Sequence, residues 1–393
     1  MPSLLDKLRA YNAAEPRKAA PVSKTDPEGF LHRSADFPLS LFGSRSAAAY
    51  ERLSAVFGIP FPRDYRHEDV LFLDTETTGL SGGAGTVAFQ IGIGYFEKNR
   101  FVTEQYLMKS YAQESLMLED LSRKLRRFRV LCTFNGKSFD VPLLQSRFTM
   151  QRIDPGCLPA LHADVLYPAR RLWKLRLKRC TLSALEEDLL NVHRVDDLPG
   201  AEVPQTYFRF LEDGNFEPLE RILEHNRQDI VSLAQLYFLI CRHTTNPEGV
   251  TDQQDLFSLA KEYQREGDRP SSKKCYRMLS STALRPEAYQ ALAGMEKQDG
   301  RYRQAIALYQ TMVSRGEQTV SACEALAKLY EHNEHNLSYA LHYTELAMLC
   351  LSEPSLRENQ DTREARLRLQ KRYARLCKKQ HALDHPMPGN DRK

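Results

Sequence analysis

Four apolar residues, Val70-Leu71-Phe72-Leu73, run without a break into Asp74-Thr75-Glu76-Thr77-Thr78-Gly79-Leu80. A short, uninterrupted apolar run reads as a strand that must be covered on both faces, as in a mixed sheet flanked by helices. Side chains alternate along a strand, so Asp74 and Glu76 point to the same face. Two like charges at that distance disfavour each other's ionisation. A divalent cation removes the conflict, and Mg²⁺ takes carboxylate oxygens readily. The plainer reading is an exposed strand end with solvated acids, and the pair alone leaves both open.

Two later stretches shift the balance. Val130-Leu131-Cys132-Thr133 is another apolar strand, followed by a turn with Asn135 and Gly136, and then by Lys137-Ser138-Phe139-Asp140. Asp140 opens an apolar segment to Phe148 that reads as a helix. Further on, Ile222, Leu223, Ile230, Leu233, Leu236 and Tyr237 recur at helical spacing around Glu224-His225-Asn226-Arg227-Gln228-Asp229. His225 and Asp229 are four apart and share one helical face.

These three segments resemble the motifs of the DEDD superfamily of 3′–5′ exonucleases, the DnaQ-like branch of the ribonuclease H-like fold. Asp74 and Glu76 match its Asp-x-Glu, Asn135 with Phe139-Asp140 matches its second motif, and His225 with Asp229 matches its third. The YprB-like group is most similar, through His162-Ala163-Asp164-Val165-Leu166-Tyr167-Pro168 and Asp197-Leu198-Pro199-Gly200. The resemblance covers roughly residues 66–243. One departure stands out: His225 carries the residue of one subclass at the spacing of the other, which opens the question of the general base. An unperturbed histidine titrates near neutral pH, so this residue could take a proton from water; alternatively it only lines the cleft.

The resemblance implies two Mg²⁺ or Mn²⁺ ions held by Asp74, Glu76, Asp140 and Asp229, with Asp74 bridging. Two such ions roughly 4 Å apart serve phosphodiester hydrolysis by activating water and stabilising the leaving oxygen. It also implies nucleic-acid contacts at Thr77, Thr78, Gly79, Asn135 and Lys137, with Gly79 letting a backbone approach closely. Asp164 reads either as a residue supporting the site or as a salt bridge or helix cap.

The chain's net charge of +4 is mild, but its cations cluster. Arg170, Arg171, Lys174, Arg176, Lys178 and Arg179 occur together with no acid among them. Beside a phosphodiesterase centre such a patch, with Arg170, Arg171 and Lys174 foremost, reads as a rail for a phosphate backbone. Tyr167 and Trp173 would stack on bases, or Leu172, Trp173, Leu175 and Leu177 are core and the cations simply solvated. Arg123, Lys124, Arg126, Arg127 and Arg129 read as a solvated helix end.

The eight cysteines include no Cys-x-x-Cys pair, which argues against a zinc ribbon or disulfide framework and fits a reducing cytoplasm. No segment approaches the roughly 18 apolar residues of a membrane span. Residues 1–34 are expected to form a mobile arm and 35–65 a segment, with a helix from Ala47 to Phe57, that packs on the catalytic domain of 66–243. Residues 243–251 have linker composition.

Beyond the linker, Leu259-Ala260, Leu292-Ala293 and Leu326-Ala327 recur at about 34 residues, as do Tyr276, Tyr309 and Tyr343, with Gly267 and Gly300 between paired helices. This is similar to tetratricopeptide repeats across 252–352, the third having Asn333 to Asn336 where its glycine belongs. A basic helix over 353–380 would cap the stack, leaving 381–393 as a tail.

The expected architecture is thus an α/β ribonuclease H-like domain plus an all-α helical-repeat domain. Two functions stand: a metal-dependent 3′–5′ exonuclease acting on nucleic-acid ends, or a non-catalytic end-binding or adaptor protein that meets a protein partner through its repeats.

Overall fold

A computed structural model describes residues 29–43, 50–79, 85–194, 198–352 and 359–384. The chain divides into two compact units, Met1–Val250 and Thr251–Lys393.

The first unit is built on a six-stranded mixed sheet of order β1-β4-β3-β2-β5-β6. Its strands are β1 (Leu31–Pro38), β2 (Val70–Thr77), β3 (Ala88–Glu97), β4 (Arg100–Leu107), β5 (Val130–Thr133) and β6 (Leu161–Asp164). The first four pair antiparallel, while β2, β5 and β6 run parallel. The helices of this unit are α1 (Tyr50–Phe57), α2 (Glu114–Leu125), α3 (Asp140–Met150), α4 (Leu166–Trp173), α5 (Leu182–Leu185), α6 (Val203–Asp213) and α7 (Glu217–Thr245).

Both sheet faces are covered, as the unbroken run at Val70–Leu73 requires, and all four of these residues are buried. On one face Leu71, Leu73, Ile91 and Ile93 pack with Met117 and Leu121 of α2 and Leu144 and Phe148 of α3. On the other, Phe72, Phe96 and Phe101 meet Phe42 and the α7 residues Tyr237 and Phe238 edge-on or tilted.

The N-terminal expectation needs adjustment. Residues 31–34, assigned to the arm, belong to β1, which pairs along its whole length with β4. The strand completes the sheet edge, and its largely polar, weakly alternating pattern hid it. Residues 1–28 of the expected arm lie outside the described residues, as do 47–49 of the Ala47–Phe57 helix, whose described part is α1. The 35–65 segment does pack on α7: Gln235 and Arg242 donate to the carbonyls of Leu41 and Phe42 at 3.4 and 2.9 Å.

The second unit is all helical: α8 (Gln253–Arg265), α9 (Arg269–Met278), α10 (Arg285–Gln298), α11 (Tyr302–Ser314), α12 (Thr319–His332), α13 (Leu337–Leu351) and α14 (Gln360–Asp384). Each Leu-Ala pair and each of the three tyrosines of the repeat is buried. Gly267 and Gly300 turn the chain with φ of +82° and +73°; in the third pair His335 takes that conformation, with φ +52°. The α14 helix packs on α13 and starts later than expected, at Gln360. Arg372, Arg375 and Lys379 of α14 all reach the buried Glu331 carboxylate. Residues 353–358 and 385–393 lie outside the described residues. No helix among those described is long and apolar enough to cross a membrane.

Candidate active site

The acids of β2 lie where the strand leaves the buried run. Asp74 stands opposite Gly92 of β3 and Glu76 opposite Gln90, and the register slips between Glu76 and Thr77. Bulges of this kind re-aim side chains at strand ends. A Cβ on Gly92 would collide with the Asn226 carboxamide, and one on Gly94 with Ile230 and Phe101. Two bare positions on β3 thus let α7 settle against the sheet. At that approach Asn226 Nδ2 donates to Asp74 Oδ2 at 2.9 Å. Gln105 Nε2 donates to Asn226 Oδ1 at 3.1 Å and to the Leu223 carbonyl at 2.6 Å, which fixes the amide's orientation.

The same seating of α7 delivers His225 and Asp229. His225 Nε2 is 3.5 Å from Asp229 Oδ2 and 3.9 Å from Glu76 Oε1. Asp140 reaches β2 from the opposite face, where its Oδ1 accepts the Thr75 hydroxyl at 2.6 Å. The four acids and the histidine of the three motifs therefore meet at the end of one strand, drawn from three elements.

The electrostatics of the group follow from burial and mutual repulsion. Burial holds the Asp74 carboxyl well above the usual range, reinforced by Asp229, Asp140 and Glu76 and opposed by the Asn226 hydrogen bond. Burial pushes Glu76 up to about 8, with His225 pulling down and Asp229 pushing up. Burial pushes Asp140 up to about 6 against the Thr75 bond.

One cation already lies within the group, and it belongs to no motif. The Arg194 guanidinium donates from Nε and Nη2 to both oxygens of the buried Glu186 carboxylate, each at 2.7 Å. Nη2 also donates to Asp229 Oδ1, and Nη1 lies 2.9 Å from His225 Nδ1. Arg194 follows Asn191-Val192-His193, an irregular stretch whose pattern carries no period, so nothing local marks it.

Asp164 holds the second motif's turn. Its Oδ1 accepts the Asn135 and Leu166 amides at 2.8 and 3.1 Å, and its Oδ2 the Lys137 amide at 3.0 Å. Asn135 is left-handed, φ +64°, and a Cβ on Gly136 would strike Thr133. The Thr77 hydroxyl donates to the Gly79 carbonyl at 2.8 Å, and that of Thr78 accepts the Val87 amide at 3.0 Å. Among the described residues, a Cβ on Gly79 would meet only Thr86 Oγ1, at 3.8 Å, an ordinary contact distance.

The basic stretch splits. Arg170 and Lys174 are exposed, whereas Arg171 donates to the Val56 carbonyl and ties α4 to α1. Trp173 is core, as are Leu172 and Leu177; Tyr167 and Leu175 are exposed, and Lys137 Nζ lies 5.8 Å from the Tyr167 ring centre.

Among the described residues no three His, Cys, Asp or Glu side chains already stand as a metal-ligating group. The donor chemistry nonetheless fits a hard cation. Four carboxylates converge, three of them raised by burial among like charges. Gln90, opposite Glu76 and so on its face, is fully buried, and neither carboxamide atom has a hydrogen-bond partner among the described residues. An all-oxygen set of this kind suits Mg²⁺ or Mn²⁺ rather than zinc.

Residues 71–241 match the family model described as the RNase_H superfamily. The fold is ribonuclease H-like. The chain is also 29% identical over 315 residues to the uncharacterized protein YprB of Bacillus subtilis (strain 168), covering 78% of this chain and 76% of that protein. That match is longer than the ribonuclease H-like domain itself.

Proposed function

We propose that this protein is a metal-dependent 3′–5′ exonuclease that hydrolyses phosphodiester bonds at nucleic-acid ends. The observation that carries the reading is the meeting of Asp74, Glu76, His225 and Asp229 on one face of the β2 end, with Asp140 bonded to Thr75 of the same strand. Bound there, two divalent cations would supply Lewis acidity toward the attacking water and the leaving 3′ oxygen. Asp74, Glu76, Asp140 and Asp229 would hold them. His225, between Glu76 and Asp229, would take up the proton that the attacking water loses, which requires the Arg194 guanidinium to leave its Nδ1 first. Thr77, Thr78 and Gly79, continuing β2, face the terminal nucleotide, with Asn135 and Lys137 on the turn that Asp164 holds. Arg170 and Lys174 offer exposed cations to the phosphate backbone. The helical pairs of the second unit act as tetratricopeptide-like repeats toward a protein partner, and the eight free thiols suit a reducing cytoplasm.

The test uses end-labelled single-stranded and duplex DNA and RNA, each blocked at one end, with Mg²⁺, Mn²⁺ or chelator. Stepwise shortening from the free 3′ end is expected only with metal, and Asp74→Ala should abolish it while preserving the fold. Tight end binding without shortening under every condition would replace the exonuclease by an end-binding adaptor.

A further inference from the structure

Arg194 is anchored by a two-point ion pair to Glu186, itself 1% exposed, and also donates to Asp229 and His225. Glu186 already balances its charge, so neutralising Arg194 does not by itself require the contact with Asp229. The contact does occupy Oδ1 of a carboxylate that the proposed cation site needs. A guanidinium donating to that oxygen and a divalent cation on the same carboxylate compete at close range, because both draw on its lone pairs and the two positive charges repel. We propose that Arg194 is an internal counter-cation of the acidic cluster, which competes with divalent metal for Asp229 and must withdraw from it when metal binds. The Glu186 anchor keeps the guanidinium within reach, so withdrawal is a local swing of Nη2 and not the loss of the ion pair.

This inference rests on the metal-site reading above and makes a separate claim about affinity. In the metal-free protein Arg194 supplies positive charge to acids that burial and repulsion have strained. The same contact lowers the affinity for the cation by the free energy needed to break it.

The test is Mn²⁺ binding to the full-length protein, read from the loss of the free-ion electron paramagnetic resonance signal, with melting temperature measured alongside. Arg194→Gln alone would raise the site's negative charge and could tighten binding for that reason only. The deciding variant is therefore Glu186→Gln with Arg194→Gln, which leaves net charge unchanged and the two side chains able to bond each other. Mn²⁺ should bind this pair variant at least about fivefold more tightly than wild type, the lower end of ordinary coupling between ligands of one site. Its metal-free melting temperature should fall, and its gain in melting temperature on adding Mn²⁺ should exceed that of wild type. Binding unchanged or weakened in a folded pair variant would overturn the inference and make Arg194 a builder of the site. No saturable Mn²⁺ binding by wild type or variants would instead remove the metal-site reading itself.

Discussion

A carboxyl pushed up to about 8, as Glu76 is, ties stability to pH. Its ordinary value is 4.5, so the folded state holds the proton more tightly than the unfolded chain does. The stabilisation is complete below the ordinary value and is lost as pH rises through the folded one. Asp140, raised from 3.8 to about 6, acts in the same direction over a lower window. The metal-free protein should therefore lose melting temperature between about pH 4 and about pH 8. Glu76→Gln, neutral throughout, should reduce that loss by at least about 2–4 °C, the shift that 1 kcal/mol produces in a unit of this size. Saturating Mn²⁺ should flatten the wild-type profile as well. Differential scanning across the pH series checks both, and a Glu76→Gln profile parallel to wild type would mean that Glu76 ionises freely. The acids were singled out by the resemblance of their motifs to a known family, since spacing alone left a solvated strand end open. Arg194, Gln90 and the Asp164 contacts were not legible as a group, because each acts through a partner distant in sequence.

At the scale of elements, the approach of α7 to the sheet decides whether the motifs meet. Gly92 and Gly94 leave the space into which Asn226 and Ile230 fit, and Asn226 then secures Asp74. A methyl at residue 92 forces either the amide off Asp74 or the helix off the sheet. Gly92→Ala should cost about 1–3 kcal/mol, the usual penalty of overpacking, and should lower metal-dependent hydrolysis. Adding Asn226→Ala removes the obstructing amide, so the double variant should lose less stability than the two single losses summed, by about 0.5 kcal/mol or more. Urea unfolding of the four proteins gives the coupling; strict additivity would mean that Gly92 does not seat the helix. The apolar strand and the helical spacing of α7 were readable from the chain. The glycines of β3 were not singled out, since a glycine within a strand signals close approach without saying to what.

At the scale of the whole molecule, every residue of the candidate site lies before Val250, and the helical unit begins at Thr251 with its own buried core. A chain ending at residue 250 should melt cooperatively and retain Mn²⁺-dependent hydrolysis of a short strand, and a chain of 251–393 should have a helical circular dichroism spectrum. Loss of hydrolysis in a folded 1–250 chain would mean that part of the site, or of its substrate contact, belongs to the second unit.

The order of apolar runs, turns and periods pointed to buried strands and an all-helical C-terminal region, while the ribonuclease H-like sheet and the candidate site residues were expectations from the resemblance of three motifs to a known family. Period and local residue type carry that information because they reflect which face of each element must be buried. Tertiary structure alone decided the edge strand β1, whose pattern alternates too weakly to announce itself before it pairs with β4. It alone decided that Arg171 serves the packing of α1 and α4 while Arg170 and Lys174 stay exposed. It alone brought Arg194 and Glu186 to Asp229 of α7, because contact between charges on separate segments depends on where the backbone places them.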